Sequence, residues 1–207
     1  MRSIFWPTSR KKFDYKSYWE RRYQSGGDSG AGSFSELANF KARIINEFVA
    51  KHDVRRVIEF GCGDGNQLNL YQIDDYLGLD VSSRAIEICA ERYAQDHAKS
   101  FLLYDPSHFV NSGFLVADLV ICIDVLYHII DETDFLKTLH DIFSCSSKSV
   151  ILYTSTDAWK TEHTGNHVRH RDILTYLNDI SEFSVDAVLK NPYPDRSSAN
   201  FIYLTRK

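Results

Sequence analysis

Three glycines at alternate positions, Gly61, Gly63 and Gly65 in the stretch VIEFGCGDGN, follow a short apolar run that carries an acid, Glu59. Glycine tolerates positive φ and lets backbone N–H groups come close to a ligand. Three more acids close later apolar runs: Asp80 in YLGLDVS, Asp105 in LLYDP and Asp124 in ADLVICIDVLYHI, with His128 four residues beyond the last. A histidine can move a proton near neutral pH, and a neighbouring carboxylate can orient it. A second cluster, KTEHTGNHVRHRD, holds Lys160, His163, His167, Arg169, His170 and Arg171. The forked guanidinium of Arg169 or Arg171 suits an anionic group, and His167 or His170 could serve as a base there. A solvated basic loop is the competing explanation. His163, His167 and His170 have no carboxylate or cysteine at a metal-ligand spacing, so no metal is expected.

The glycine spacing narrows the ligand. A dinucleotide loop reads G-x-G-x-x-G, and here the third glycine comes one position early and is followed by Asn66. Glu59 would also face a pyrophosphate with like charge. A ligand with a positive charge and an amino-acid end suits Glu59 better.

These residues need a scaffold. Compact apolar runs recur as RVIEF, YLGLD, SFLLY, DLVICI and SVILYT, each read as a strand buried on both faces of a parallel sheet. Helical patterns separate several of them. SSRAIEICAERYAQ sets Ile86, Cys89, Ala90 and Tyr93 on one stripe with Ser82 or Ser83 as N-cap. DETDFLKTLHDIF sets Phe135, Leu136, Leu139, Ile142 and Phe143 on another after an acidic first turn. The alternation predicts a doubly wound α/β sheet with right-handed crossovers. EFSVDAVLK and NFIYLTRK, joined by a turn-rich segment, predict an antiparallel pair added at the sheet's edge. Two helices are expected before the first strand. DYKSYWERRYQ is aromatic, and SELANFKARIINEFVAKH carries Leu37, Phe40, Ile44 and Phe48 on one face. SGGDSGAGS between them reads either as a linker or as the hinge of a lid. The division expected is a helical arm over residues 1–52 and one compact unit over 53–207.

Composition sets bounds. With 43% hydrophobic and 25% charged residues, the chain reads as an ordinary globular protein, and its formal charge of -4 argues against sequence-independent nucleic-acid binding. Cys62, Cys89, Cys122 and Cys145 form no C-x-x-C pair and read as free thiols of a reducing cytoplasm. No signal peptide and no membrane insertion are expected.

The loop resembles the first motif of the class I S-adenosylmethionine-dependent methyltransferases, an acid followed by G-x-G-x-G, here Glu59, Gly61, Gly63 and Gly65. The ordered set continues with Asp80, Asp105 and Asp124. The resemblance implies a Rossmann-like, seven-stranded, mostly parallel sheet with an antiparallel C-terminal hairpin. It implies S-adenosylmethionine at Glu59, Gly61, Cys62, Gly63, Gly65, Asp80, Val81, Asp105 and Asp124. Asp80 would take the ribose hydroxyls and Asp105 the adenine amine. Methyl transfer from a sulfonium needs alignment and a dry site, and a hydroxyl or amine acceptor needs a base, for which His128 is the first choice with Asp124, His167 and His170 beside it. Tyr18, Arg22, His163, Arg169 and Arg171 are expected at the acceptor. Trp19 is expected to pack on the sheet's flank.

The overall pattern, with YWERRY and HVRHR, is similar to small methyltransferases associated with bacterial surface polysaccharides, which implies transfer to an oxygen of a small sugar-like or anionic molecule: a sugar, a sugar phosphate or a polysaccharide precursor. The rivals are an RNA or protein methyltransferase, for which the basic aromatic arm speaks, and a non-catalytic cofactor-binding subunit. A dinucleotide oxidoreductase is disfavoured by Asn66 and Glu59. The oligomeric state is open.

Overall fold

In the computed structural model, which describes residues 13–157 and 166–207, the β-branched and aliphatic runs align into one seven-stranded sheet. The strands are β1 (Arg56–Phe60), β2 (Asp75–Asp80), β3 (Lys99–Leu103), β4 (Ala117–Ile123), β5 (Ser146–Ser155), β6 (Phe183–Leu189) and β7 (Ala199–Arg206). Their order is β3-β2-β1-β4-β5-β7-β6, and β7 alone runs opposite to the other six. The expected antiparallel pair is therefore present. Of this pair, β7 lies inside the sheet and β6 forms the edge.

Alternate strand residues feed two cores. Ile58, Phe60, Val120, Cys122, Val150 and Leu152 face α4 (Glu132–Ser144) and α5 (Ile173–Leu177). Val57, Leu119, Ile121, Ile151 and Phe201 face α2 (Ser35–Lys51) and α3 (Ser83–Arg92). Phe40, Ile44, Ile45 and Val49 make α2 a full wall of that second core. Ser82 caps α3, its hydroxyl accepting from the Ala85 amide, and Asp131 caps α4 from Asp134.

Two stripes are narrower than their spacing suggests. Ala90 of α3 is exposed, and Ala85 takes its place inside; Leu136 of α4 is 48% exposed because it lies at the margin of the helix face. β3 also departs from the expectation of burial on both faces. It is an edge strand, and Leu102 and Leu103 are exposed.

Register sets the rim. Phe60 pairs with Leu79 and Cys122, and Ile123 pairs with Tyr153. The parallel strands therefore deliver Gly61, Asp80, Asp124 and Ser155 to one carboxyl edge. Over that edge lies α1 (Tyr15–Gln24), with Tyr15 inserted in the first core. Among the described residues no helix is long and apolar enough to cross a membrane.

Candidate active site

The chain leaves β1 through a turn pinned to β2: the Gly61 and Cys62 amides both donate to the Leu79 carbonyl, at 2.6 and 3.0 Å. Gly61 has φ 84°, and a Cβ there would stand 2.1 Å from Val125 Cγ2, so the turn admits no side chain. The Asp80 carboxylate braces the loop, accepting from the Gly63 and Ser82 amides at 2.9 Å each. Burial pushes the Asp80 carboxyl up to about 6. Glu59, behind the turn, accepts from the Tyr76 hydroxyl, and burial pushes it up to about 7.

A cleft of about 820 Å³, open on one side, follows this turn. Of the residues expected at a cofactor, Glu59, Gly61, Cys62, Gly63, Asp80, Val81 and Asp124 line it. Gly65 does not; a Cβ there would press on Cys89 Sγ and the Tyr93 ring at 3.0 Å, so its role is loop-to-helix packing. Asp105 lies off the lining too. Its carboxylate is taken by Lys16 Nζ at 2.7 Å and by the Ser107 hydroxyl, contacts that hold it well below the usual carboxylate range. Tyr104, one residue earlier, lines the cleft instead. All four cysteines are buried thiols.

The α1 helix closes the cleft from above. Glu20 accepts from the Ser82 and Ser83 hydroxyls and the Arg84 amide at the start of α3. Lys16 bridges Asp105 and Asp134. In the following loop Ser29 Oγ donates to Asp64 Oδ1 and accepts from the Asp64 amide, and the Asn66 side chain donates to the Ser33 carbonyl. Trp19 does not merely pack on a flank: it lines the cleft and sets its ring edge-on to His128, centroids 5.1 Å apart.

Beyond β4, Asp124 adopts φ 61°, a left-handed conformation that aspartate tolerates better than most residues. Its Oδ1 accepts from the Tyr127 hydroxyl at 2.6 Å and its Oδ2 from Lys41 Nζ. Asp124 and His128 belong both to the cleft and to a second open-sided cavity of about 650 Å³, whose walls include Tyr18, Trp19, Arg22 and His167. His128 Nδ1 lies 3.1 Å from the His167 carbonyl oxygen. A carbonyl only accepts, so Nδ1 carries the proton and Nε2 offers its lone pair. Burial lowers the His128 pKa to about 4, so the ring is neutral at physiological pH. His167 stacks between His128 and Tyr18.

The other expected acceptor residues divide. Arg22 lines the second cavity while two of its nitrogens bind Asp28. His170 is buried beside Ser155 Oγ at 2.9 Å, away from His128's cavity, in a third one. Arg169 and Arg171 correct the sequence reading, because neither lines any of these three cavities. Arg171 lies 3.9 Å over the Phe135 ring and donates to the Ile129 and Ile130 carbonyls and to Glu132. Arg169 also pairs with Glu132, at 2.8 Å. The Arg171 guanidinium is spent in fastening its segment to the start of α4, and Arg169 adds one nitrogen to the same fastening, at the Ile130 carbonyl and Glu132. His163 and Lys160, like residues 1–12 of the basic aromatic arm, lie outside the described residues. Among the described residues no group of His, Cys, Asp and Glu is arranged to hold a metal.

Sequence reasoning missed Lys41, Gln67 and Tyr104. Lys41 is 1% exposed, a buried ammonium on the apolar face of α2. Its spacing, four after Leu37 and three before Ile44, was the available signal.

A family profile described as Methyltransferase domain matches residues 34–190. No curated protein matches the chain in sequence. Solved structures share its fold. A magnesium protoporphyrin IX methyltransferase from Synechocystis with bound S-adenosylmethionine is 16% identical, with a TM-score of 0.67 over 96% of this chain and 100% of that one. The N-methyltransferase NodS from Bradyrhizobium japonicum, in complex with S-adenosylhomocysteine, is 14% identical, with a TM-score of 0.71 over 94% and 99%. A methyltransferase from Clostridium acetobutylicum is 13% identical, with a TM-score of 0.62 over 93% and 98%. The profile match takes in the glycine loop, Asp80, Asp124, His128 and the strands β1 to β6, and by it the chain belongs to the methyltransferase-domain family of enzymes.

Proposed function

We propose that this methyltransferase moves a methyl group from S-adenosylmethionine to a hydroxyl oxygen of a small, polar, ring-bearing acceptor, with a sugar or sugar derivative as the class that fits best. The donor fits the cleft. Asp80 offers a carboxylate to a diol, and Glu59 lies behind the turn. Gln67 Oε1 is buried in the lining with no donor among the described residues, as suits an ammonium group. The turn at Gly61 leaves a cradle that a side chain would fill. Bound there, S-adenosylmethionine supplies an electrophilic methyl carbon.

The carrying observation is His128. It belongs to both cavities, and its Nε2 lone pair remains once Nδ1 is committed to the His167 carbonyl. His128 takes the acceptor's proton at Nε2, and Asp124, held by Lys41 and Tyr127, orients the neighbourhood. The aromatic carbon of Tyr18 and Trp19 walls the acceptor and suits its C–H surfaces. The lid is α1 with the loop over 25–34, which excludes water.

The test incubates the protein with methyl-labelled S-adenosylmethionine and a panel of monosaccharides, sugar phosphates and matched amines, followed by mass spectrometry. Label transferred to a hydroxyl, and lost in His128→Asn, is expected. Label confined to amines, or turnover indifferent to His128→Asn, would overturn the reading.

A further inference from the structure

A third open-sided cavity, of about 610 Å³, lies on the far side of Asp124 from the glycine loop, over the ends of β4, β5 and β7. Its polar lining is rich in donors: Lys41, Arg196 and the hydroxyls of Tyr127, Tyr153, Ser197 and Ser198, with His170 and Asp124 beside them. Lys41 gives one hydrogen bond to Asp124 Oδ2, and its remaining N–H groups meet no acceptor among the described residues although the side chain is 1% exposed. Ser197 Oγ accepts from the Tyr153 hydroxyl and the Ala199 amide, which leaves its own hydrogen to donate. The Ser198 hydroxyl has no partner among the described residues. Arg196 commits one nitrogen to Glu36 and keeps the rest of its fork. Asp124 is the acid in this wall, and both its oxygens are already taken.

A buried ammonium with spare donors beside two hydroxyls and a guanidinium is short of acceptors, and the shortage is met by an oxyanion. We propose that this cavity is a binding subsite for a phosphate or carboxylate group carried by the methyl acceptor, with Lys41, Arg196, Ser197 and Ser198 as its donors. The proposal rests on the acceptor reading above. The geometry ties the two together. Gly32, Asp124 and Tyr127 are walls of both this cavity and the one at His128. A Cβ at Gly32 would lie 3.0 Å from Asp124 Oδ2, so glycine keeps the passage between them clear. An acceptor with its hydroxyl at His128 therefore reaches the donors with its charged end. The sequence reading places the anion at Arg169 and Arg171, which pair with Glu132 and line neither this cavity nor the one at His128.

The test titrates the full chain with sodium phosphate and with sodium acetate at constant ionic strength, free and saturated with S-adenosylhomocysteine. Saturable oxyanion binding that persists beside S-adenosylhomocysteine is expected. It should weaken by at least about tenfold in Lys41→Met, and by about three- to tenfold in Arg196→Gln and Ser198→Ala. Arg196→Gln should keep its S-adenosylhomocysteine affinity. Phosphate alone binding assigns a phosphorylated acceptor, and acetate alone a carboxylated one. Absence of saturable binding, binding equal in all variants, or displacement by S-adenosylhomocysteine would each overturn the subsite. Should Lys41→Met not fold, Arg196→Gln on its exposed turn decides. Failure of S-adenosylhomocysteine to bind would instead sink the methyl-donor reading, and the titration of the free chain would still judge the subsite.

Discussion

The two halves of the sheet's carboxyl rim are built in different ways. On the donor side, Glu59, Gly61, Gly63, Asp80 and Val81 come from one strand–turn–strand passage and brace each other through backbone amides. On the acceptor side, Lys41, Asp124 with His128, His167 and Ser197 come from four segments distant in sequence, and side chains make the contacts among them, as Lys41 does to Asp124 and His128 to the His167 carbonyl. Local spacing specifies the first half. Packing of distant elements specifies the second, so its chemistry depends on the whole fold.

The sharpest way to separate the halves is Asp80→Ala. Calorimetry should show S-adenosylmethionine affinity reduced by more than about a hundredfold, since a diol would lose a charged, buried acceptor and the Gly63 amide its brace. Unchanged affinity would place the donor elsewhere. His128→Asn acts on the other half. Single-turnover rates should fall by about 10²–10⁴ while donor affinity holds within about threefold. A fall below about tenfold would reduce the histidine to a cavity wall.

Arg171→Met probes the boundary between chemistry and scaffold. Urea unfolding should show a loss of about 2–3 kcal/mol, because the buried Ile129 carbonyl loses its side-chain donor and Ile130 and Glu132 each lose one of theirs. Turnover per folded molecule should stay the same. A raised acceptor KM with intact stability would return Arg171 to the acceptor site.

The smallest effect expected is with pH. Glu59 and Asp80, raised to about 7 and about 6 by burial, gain protons as pH falls through those values and lose capacity to accept. Donor affinity should therefore decline steadily from about pH 7.5 to 5.5, with His128 neutral throughout. A flat calorimetric profile would mean that neither carboxylate meets the donor.

The same contrast explains what the sequence disclosed. Strand runs, the Ser82 cap and the glycine turn depend on neighbours within a few residues, and the structure has them where the spacing put them. Asp105 kept its place after the third strand, yet Lys16 from α1 had first claim on its carboxylate. Arg171 offered a fork for an anion, and nothing in its own segment showed that Glu132 and the Phe135 ring would occupy it. Lys41 was hidden by the opposite error: a lysine within an apolar helix face reads as a snorkelling margin until Asp124 is brought to it from another strand. Charge pairing across long sequence separations is set by topology, which composition and period do not encode.

Asp124 borders all three cavities and is held between a lysine and a tyrosine. Whatever one occupant does to that carboxylate, the others experience. Donor and acceptor affinities are then linked thermodynamically: the factor by which a bound donor changes acceptor binding equals the factor by which acceptor changes donor binding. The energetics of this rim belong to the occupied set and do not divide into a sum over separate sites.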